Sequence, residues 1–501
     1  MKHEYDVGVV GYGPSSAVLV NLLLEQGLSV IVFERDEDIP TSPRAAHFDD
    51  ESLRLFQTIG AADDLAEYFS KSKDYGVYNA LGKRVWGFSA IGQVPTDQGW
   101  LSDYWFFQPR VERYLRAKNI KQGATALLNR EVIDLTELPD GVVITHKNTD
   151  DETGTTQQQT SVRYVVGADG AKSFVRKYIG TSMEKLAPSQ RWMIVDIKIH
   201  AGIPVELESE SWTRVSPNET ITYVPMPEDI QRFEFSMKED QSEDDVKSPE
   251  AITEFIAKWF QPDEYDILRA DVYHFHSLVA DEWKKGRVLI AGDAAHLNPP
   301  FLGQGVCAAF RDAANLAWKL ARVVRDGASE ALLDTYMTER RPHAREIVKI
   351  AGEVGNKIAW MASASPEELN AMGREDYKQA KPPLGPGVFD GNFTSAGVRA
   401  PQPVLSNGRM LDYAVGYNFA LVGDSALISA ISSSSMAALK ALRVVILADD
   451  CDSVRNATAA VGGKVMFVRP DRYLIGVANS ISEIEAMAIQ AATALGSTVA
   501  A

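Results

Sequence analysis

Residues Val9–Leu19 read VVGYGPSSAVL, a glycine turn between a β-branched run and an apolar helical pattern. Gly11 and Gly13 fill the first two places of G-x-G-x-x-G, and Ser16 stands in the third. Glycines there permit a tight turn and bring main-chain N–H groups at a helix N-terminus up to a pyrophosphate. Pro14 opens the helix, where its missing N–H costs nothing, and Ser15 and Ser16 keep the turn small. The surrounding unit is complete: strand YDVGVVG, helix PSSAVLVNLLLEQG closing at Gly27, then strand SVIVFE. That second strand ends at Glu34, about 20 residues beyond the turn, where a carboxylate accepts hydrogen bonds from a ribose. Arg35 follows it and is assigned to the same nucleotide. NAD and FAD fit this unit equally.

The stretch from Val288, VLIAGDAAHLNPPFLGQGVCAAFRDAANLAWKL, separates them. Asp293 ends a buried strand, at the crevice where open α/β sheets bind ligands, and a carboxylate there suits a polyhydroxy ribityl chain better than a phosphate. Gly303, Gln304 and Gly305 then open a long helix whose bare N–H groups favour negative charge on the edge of a reduced isoalloxazine. Pro299, Pro300 and Val306 belong to the same stretch.

At 501 residues the chain is too long for one ordinary core. A net charge of -17 argues against nucleic acid or an anionic membrane as partner. No apolar run is long enough to cross a bilayer, and MKHEY leads straight into a strand, so the expected location is the cytoplasm. Cys307 and Cys451 are too few for a disulfide framework or a zinc site, and no metal is expected. The pattern turns alternating and β-rich between about 192 and 275, and a loop-rich linker spans Ser363–Pro403. Four further strand-like runs and a closing helix, SISEIEAMAIQAATAL, follow it.

Taken together, GYGPSS, PRAAHFDDESLRLFQTIG, FFQPRVERYLR, YVVGADGAKSFVRKYIG, AGDAAHLNPPFLGQG, ERRPHA and PPLGPG resemble the class A, single-component FAD-dependent aromatic monooxygenases. The similarity is greatest to the branch of 3-(3-hydroxyphenyl)propionate hydroxylase, with resorcinol and phenol hydroxylases as relatives. The fold class this implies is α/β: a Rossmann-like FAD-binding domain of the p-hydroxybenzoate hydroxylase type, a β-sheet substrate domain, and a C-terminal thioredoxin-like domain. The expected division is 1–185 for the first part of the FAD-binding domain, with inserted pieces of the substrate domain. The substrate domain occupies 186–280, the FAD-binding return with its long helices and linker 281–395, and the C-terminal domain 396–501. That last domain lacks C-x-x-C, which argues against dithiol chemistry. By the same resemblance Arg44 and Gln108 contact FAD, Asp169, Gly170 and Arg176 serve FAD and the passing nicotinamide, and Gln304 and Gly305 lie by the pyrimidine edge.

The implied reaction uses NADH or NADPH to reduce FAD, adds O2, and hydroxylates a small phenol through a C4a-hydroperoxyflavin. A free phenol has a pKa of about 10, so assistance with its deprotonation is expected. Three residues are candidates for contact with the substrate. His47 stands just after Arg44 as a proton acceptor or relay, the Pro300 carbonyl is an acceptor for a substrate hydroxyl, and Tyr223 is a phenol offered from the β-rich sheet. Arg214 is a candidate partner for a substrate carboxylate. His274 and His276 alternate on one strand face and read as packing, His296 as support for the flavin stretch, and Arg340, Arg341 and Pro342 as structural. A homodimer follows from family analogy alone. Two alternatives stand beside the phenol hydroxylase: the same fold acting on a larger polycyclic or antibiotic-like aromatic, and a flavin-binding protein without oxygenase activity.

Overall fold

In the computed structural model the described residues are 3–496, except 42, 72–73, 89–92, 152, 154, 201, 205–206, 208–209, 218, 374, 377–380 and 390–392. The strand Tyr5–Val10 is central to a sheet ordered Lys284–Lys285, Val288–Ile290, Gln158–Gly167, Tyr5–Val10, Val30–Phe33, Thr125–Leu127. Its pairings are parallel except at the Lys284–Lys285 edge. A hairpin, Arg130–Glu137 with Val142–Asn148, is added antiparallel to Gln158–Gly167. Because the central strands run the same way, the segments that follow them emerge at one edge: Gly11 after Val10, Glu34 after Phe33, Asp169 after Gly167, Asp293 after Ile290. Parallel sheets bind ligands in that crevice. Helices Pro14–Glu25 and Gly305–Val324 pack on each other beneath it.

A second sheet is ordered His296–Leu297, Tyr265–Ala280, Met183–Ile199, Ile230–Ser236, Thr220–Pro225, Ser211–Val215, Tyr75–Tyr78, Arg84–Phe88, Glu375–Asp376. The expected boundary at residue 185 falls inside the strand Met183–Ile199, which runs continuously from the first domain into this sheet. One face carries Trp212, Tyr223, Phe233 and Phe235 and is covered by Ile252, Ile256 and Trp259, in and just beyond helix Pro249–Ile256. The other face looks toward the crevice.

The last domain is a four-stranded sheet, ordered Val445–Ala448, Ala420–Gly423, Val465–Val468, Leu474–Ala478, with helices Ser433–Ala441, Asp452–Ala460 and Ile481–Ala494. The first pair is parallel and the other two pairings are antiparallel. All four strands and the closing helix lie within the runs expected from the sequence. The described part of the linker is packed on the body rather than free. Leu384 N–H bonds Gly397 O, and Gly385 N–H bonds Glu339 O at 2.9 Å.

The contact between the last domain and the body is rich in buried charge. Glu339 meets Lys319 at 2.7 Å and Arg469 at 2.7 Å, and Arg469 also holds Asp471 at 2.7 Å. Arg54 binds Asp412 through two hydrogen bonds of 2.7 and 3.0 Å. Asp49, Asp50 and Glu51 stand together and resemble a metal-ligand set. Arg311, Lys381 and Arg399 face them instead and neutralise the cluster.

No helix among the described residues is long and apolar enough to cross a membrane.

Candidate functional site

The glycine turn is built as its residue types demand. Gly11 has φ +90°, and a Cβ there would meet Ala168 O at 2.6 Å, so only glycine fits without displacing backbone. Gly13 is the N-cap of helix Pro14–Glu25, has open space where a Cβ would be, and receives no side-chain cap. The first N–H groups of that helix are therefore free for an anion. Ser16 is fully buried in the helix, which is why a small residue suffices there. Ser15 Oγ lies against Gly292, tying the turn to the second glycine stretch. Glu34 accepts from Tyr12 N–H at 2.6 Å and from Asp36 N–H at 3.0 Å. It thus braces the turn while standing at its mouth. Arg35 is solvent-exposed and, among the described residues, pairs with Asp36 at 3.8 Å.

Gln108 heads helix Gln108–Lys121 and accepts from the backbone N–H groups of Arg44 (3.2 Å) and Ala45 (2.8 Å). Gln108 thus fixes the segment that carries Arg44. From the other side Arg232 donates to the carbonyls of Pro43 (2.6 Å) and Arg44 (3.0 Å), and Arg269 donates to Pro43 at 2.8 Å. Asp169 accepts from Ser173 and from the N–H groups of Phe174 and Val175, so its carboxylate shapes the turn that includes Gly170 (φ +77°). Arg176 donates to Ala294 O at 3.0 Å, beside Asp293.

Asp293 is accessible on the floor of the crevice, and no described protein group hydrogen-bonds to its carboxylate. Surrounding protein nevertheless pushes its pKa up, against the opposing charges of His296, Arg44 and Arg176. Beneath it His296 meets Asp312 at 2.7 Å, and Asp312 also accepts from Gly292 N–H (3.0 Å) and Arg340 (2.9 Å). His296 and Arg340 are thus fully buried supports of the Gly292–Asp293 turn, as their sequence context suggests. Arg341 pairs with Glu184 and Asp281 at the body's edge.

Pro299 is buried, and Pro300 begins a short turn whose carbonyl accepts from Gly303 N–H at 2.8 Å. That carbonyl keeps one lone pair for another donor. Gly303 has φ +62°, and helix Gly305–Val324 starts two residues later with no side-chain cap, so the N–H groups near Val306 are free. Gln304 Oε1 accepts from Arg311 at 3.1 Å, while its Nε2 is buried without a partner among the described residues. Asn298, which the sequence reading passed over, has both Nδ2 and Oδ1 buried without partners among the described residues and packs near Gly305. A lone Asn in an apolar loop was the signal available for it.

His47 reaches this turn in a specific state. Its Nε2 faces Asp103 Oδ1 at 2.6 Å and its Nδ1 faces the Gly303 carbonyl at 3.2 Å. Both partners only accept, so both ring nitrogens carry protons and the ring is a cation. Burial alone would lower its pKa, but the hydrogen bond and charge of Asp103, with a contribution from Cys307, hold it well above 6.5. His47 therefore clamps the Gly303 turn and offers no free nitrogen to a proton. Asp103 was not legible in the sequence, because it meets His47 only across the small antiparallel sheet of His47–Asp49, Asp103–Phe106 and Phe69–Lys71.

Tyr223 is not brought to the crevice. It is fully buried on the far face of its sheet, against Trp212 and Phe233, and donates to Gln231 Oε1 at 2.5 Å. Side chains alternate along a strand, so its neighbour Val224 faces the crevice side instead, with Ala46 and Trp105. Arg214 is exposed on the far face too, with its guanidinium 4.2 Å from the Trp212 ring. His274 bonds Glu243, at the start of helix Glu243–Val246, and His276 bonds Ser189 on the neighbouring strand, away from these groups.

The groups left over match a flavin dinucleotide: two uncapped helix N-termini, a free carboxylate at a strand end, and an amide donor–acceptor pair in Asn298 with a further donor in Gln304.

The FAD binding domain family matches residues 4–351. A 3-(3-hydroxy-phenyl)propionate/3-hydroxycinnamic acid hydroxylase of Mycolicibacterium smegmatis is 35% identical over 358 residues, which is 71% of this chain and 61% of that protein. The probable NADH-specific resorcinol 4-hydroxylase of Rhodococcus jostii is 28% identical over 97% of this chain and 94% of its own length. Among solved structures, aklavinone-11 hydroxylase in complex with FAD and aklavinone superposes with TM-score 0.78 at 22% identity, covering 98% of this chain and 100% of its own. The flavin-dependent monooxygenase PieE gives 0.79 at 19%, covering 99% of each chain. At those identities the likeness is one of fold.

Proposed function

Since the chain belongs to the FAD binding domain family, we propose that it is a monooxygenase that uses FAD, NADH or NADPH and O2 to hydroxylate a small phenol. The observation that carries this reading is the set of uncommitted polar groups at the crevice edge. Bound there, FAD would supply hydride acceptance and oxygen activation. The chain would hold its pyrophosphate at Gly11–Ser16, its ribose at Glu34 and Arg35, and its ribityl chain at Asp293, with Arg44, Gln108, Asp169 and Gly170 completing the nucleotide site. Asn298, Pro299, Gly303, Gln304, Gly305 and Val306 would meet the ring. His47 would act there as a fixed positive charge that favours an electron-rich flavin, and the Pro300 carbonyl would face the substrate.

The names of the two relatives support phenolic substrates, and that of the Rhodococcus jostii protein supports NADH. The strand order and mixed pairing of residues 420–478 support a thioredoxin-like reading of the last domain. A cytoplasmic homodimer remains the family analogy, to be checked by sedimentation.

In the test, the purified protein retains a yellow flavin, and a panel of phenols accelerates NADH- or NADPH-dependent oxygen uptake with a product carrying one added oxygen. Flavin binding with no aromatic-stimulated uptake and no such product would overturn the reading in favour of a non-oxygenase flavoprotein.

A further inference from the structure

The crevice-facing side of the second sheet carries a buried carboxylate that accepts no hydrogen bond from the described residues. Glu234 lies in strand Ile230–Ser236, directly opposite Thr222 on one neighbour and Ile194 on the other. Directly paired residues share a face. Ile194 packs with Trp192, Phe275 and Phe301, and Phe301 follows Pro300 in the turn described above. Two residues along the strand from Glu234, Arg232 holds the carbonyls of Pro43 and Arg44. Glu234 is therefore flanked by the turn assigned to the flavin ring and by the segment that carries Arg44.

Its surroundings are complementary to a hydroxylated ring. Trp192, Phe275 and Phe301 form an aromatic wall with rings 5.8–6.2 Å apart. A chain of hydroxyls continues on the same face: Tyr75 to Thr213 at 2.6 Å and Thr213 to Thr222 at 2.7 Å. The cations nearby are already engaged. Arg232 binds Asp196 through 2.7 and 3.0 Å hydrogen bonds, and Arg269 stands 4.0 Å from the same carboxylate. Glu234 itself is only 8% exposed, reaches Arg232 no closer than 4.0 Å, and accepts no hydrogen bond from the described protein. Burial holds its pKa above the ordinary 4.5, with Arg232 opposing. A buried carboxylate without a donor is costly, and a substrate hydroxyl would supply one.

We propose that Glu234 receives the hydrogen bond of the substrate's phenolic hydroxyl and takes its proton as the ring is oxygenated, and that the substrate is an uncharged phenol. The phenolic O–H bond breaks, a Glu234 O–H bond forms, and the electron pair stays on the phenolic oxygen, where it enriches the ring. A carboxylated substrate would bring its charge beside Glu234, where the neighbouring cations Arg232 and Arg269 are already held by Asp196. The Thr213–Thr222 hydroxyls would serve a second ring hydroxyl.

This inference rests on the hydroxylase reading, and the experiment separates the two. Wild type, E234Q and E234D are loaded with FAD, and resorcinol and 3-(3-hydroxyphenyl)propionate are compared as substrates. 4-Nitrophenol serves as an optical probe of phenol ionisation in the bound state. Expected for E234Q are unchanged flavin content, loss of the bound probe's phenolate band, and a kcat lower by about 100-fold or more, the usual range for a lost general base. The acidic limb of the wild-type kcat profile should vanish with it, and E234D should restore part of both the band and the rate. Wild type should favour resorcinol in kcat/KM. Failure of every phenol to stimulate the wild type would remove the hydroxylase reading itself. A wild type that turns over, beside an E234Q that keeps the phenolate band and a rate within about threefold, would overturn the role of Glu234. Preference for the carboxylated phenol would overturn the substrate class. If E234Q sheds FAD, E234D decides alone, and wild-type ionisation of the probe and wild-type rate in E234D would overturn the proposal.

Discussion

Two regions of this chain bury polar groups to a similar depth and treat them in opposite ways. Under the last domain, Glu339, Lys319, Arg469 and Asp471 satisfy one another, as do Arg54 and Asp412. Around the crevice, the buried Asn298, Gln304 amide and Glu234 have acceptors or donors to spare among the described residues, as does the accessible Asp293. Buried polar groups cost free energy unless paired. The first region spends its polarity on holding the protein together, and the second keeps its polarity for a ligand. Substitutions in the two regions should accordingly separate stability from binding.

The largest stability loss is expected at Arg469. Replacing it with Ala takes the cation from Asp471 and leaves Glu339 with Lys319, Asn315 and the Val388 N–H. Breaking a buried pair in this way costs about 3–5 kcal/mol, which thermal or denaturant unfolding would read directly. A loss below about 1 kcal/mol would mean that the network is slack. Next, Asn298→Ala should leave the apoprotein's unfolding midpoint unchanged or slightly higher, since its amide has no protein partner, while FAD titration shows weaker binding. The expected loss is about 1–3 kcal/mol, the cost of removing hydrogen-bonding groups a ligand uses. An apoprotein that lost as much stability as affinity would erase the contrast.

A pH experiment sharpens the boundary case. His47's folded pKa is raised, so its contribution to stability is present below its unfolded value near 6.5 and is lost as pH rises through the higher folded value. The midpoint of wild type should therefore decline over that window, and His47→Gln should flatten the decline. Parallel curves for the two proteins would show that the His47–Asp103 pair carries no pH-dependent stability. The smallest effect belongs to Arg214, exposed over Trp212: Arg214→Ala should cost about 0.5–1 kcal/mol and leave FAD binding unaltered.

What the sequence disclosed follows the range of each interaction. The glycine turn, Glu34 and the Asp293 stretch are local, because strand, turn and helix lie next to one another in the chain, and the structure sets them along one crevice edge. Asp103 meets His47 across 56 positions and Arg469 meets Glu339 across 130, and neither pairing leaves a mark in its neighbourhood. Arg469, in FVRPDRY, reads as an ordinary turn charge although it is buried. Tyr223 failed for another reason. Its strand is largely buried on both faces, so the usual alternation of apolar and polar residues does not tell the inner face from the outer. Glu234 was hidden by the same loss of contrast, since all of strand Ile230–Ser236 up to Phe235 is buried.

The hydrogen bonds from Arg232 and Arg269 to the Pro43 and Arg44 carbonyls have a mechanical consequence. Backbone carbonyls are replaced by no point mutation, so the receiving half of this joint is fixed whatever residue stands at 43 or 44. The donating half sits on the strand that carries Glu234 and on Tyr265–Ala280, two strands along the same sheet. Any tilt of that sheet is therefore passed to the Arg44 segment as a pull along its backbone, and the two sides of the crevice behave as a single hinged plate.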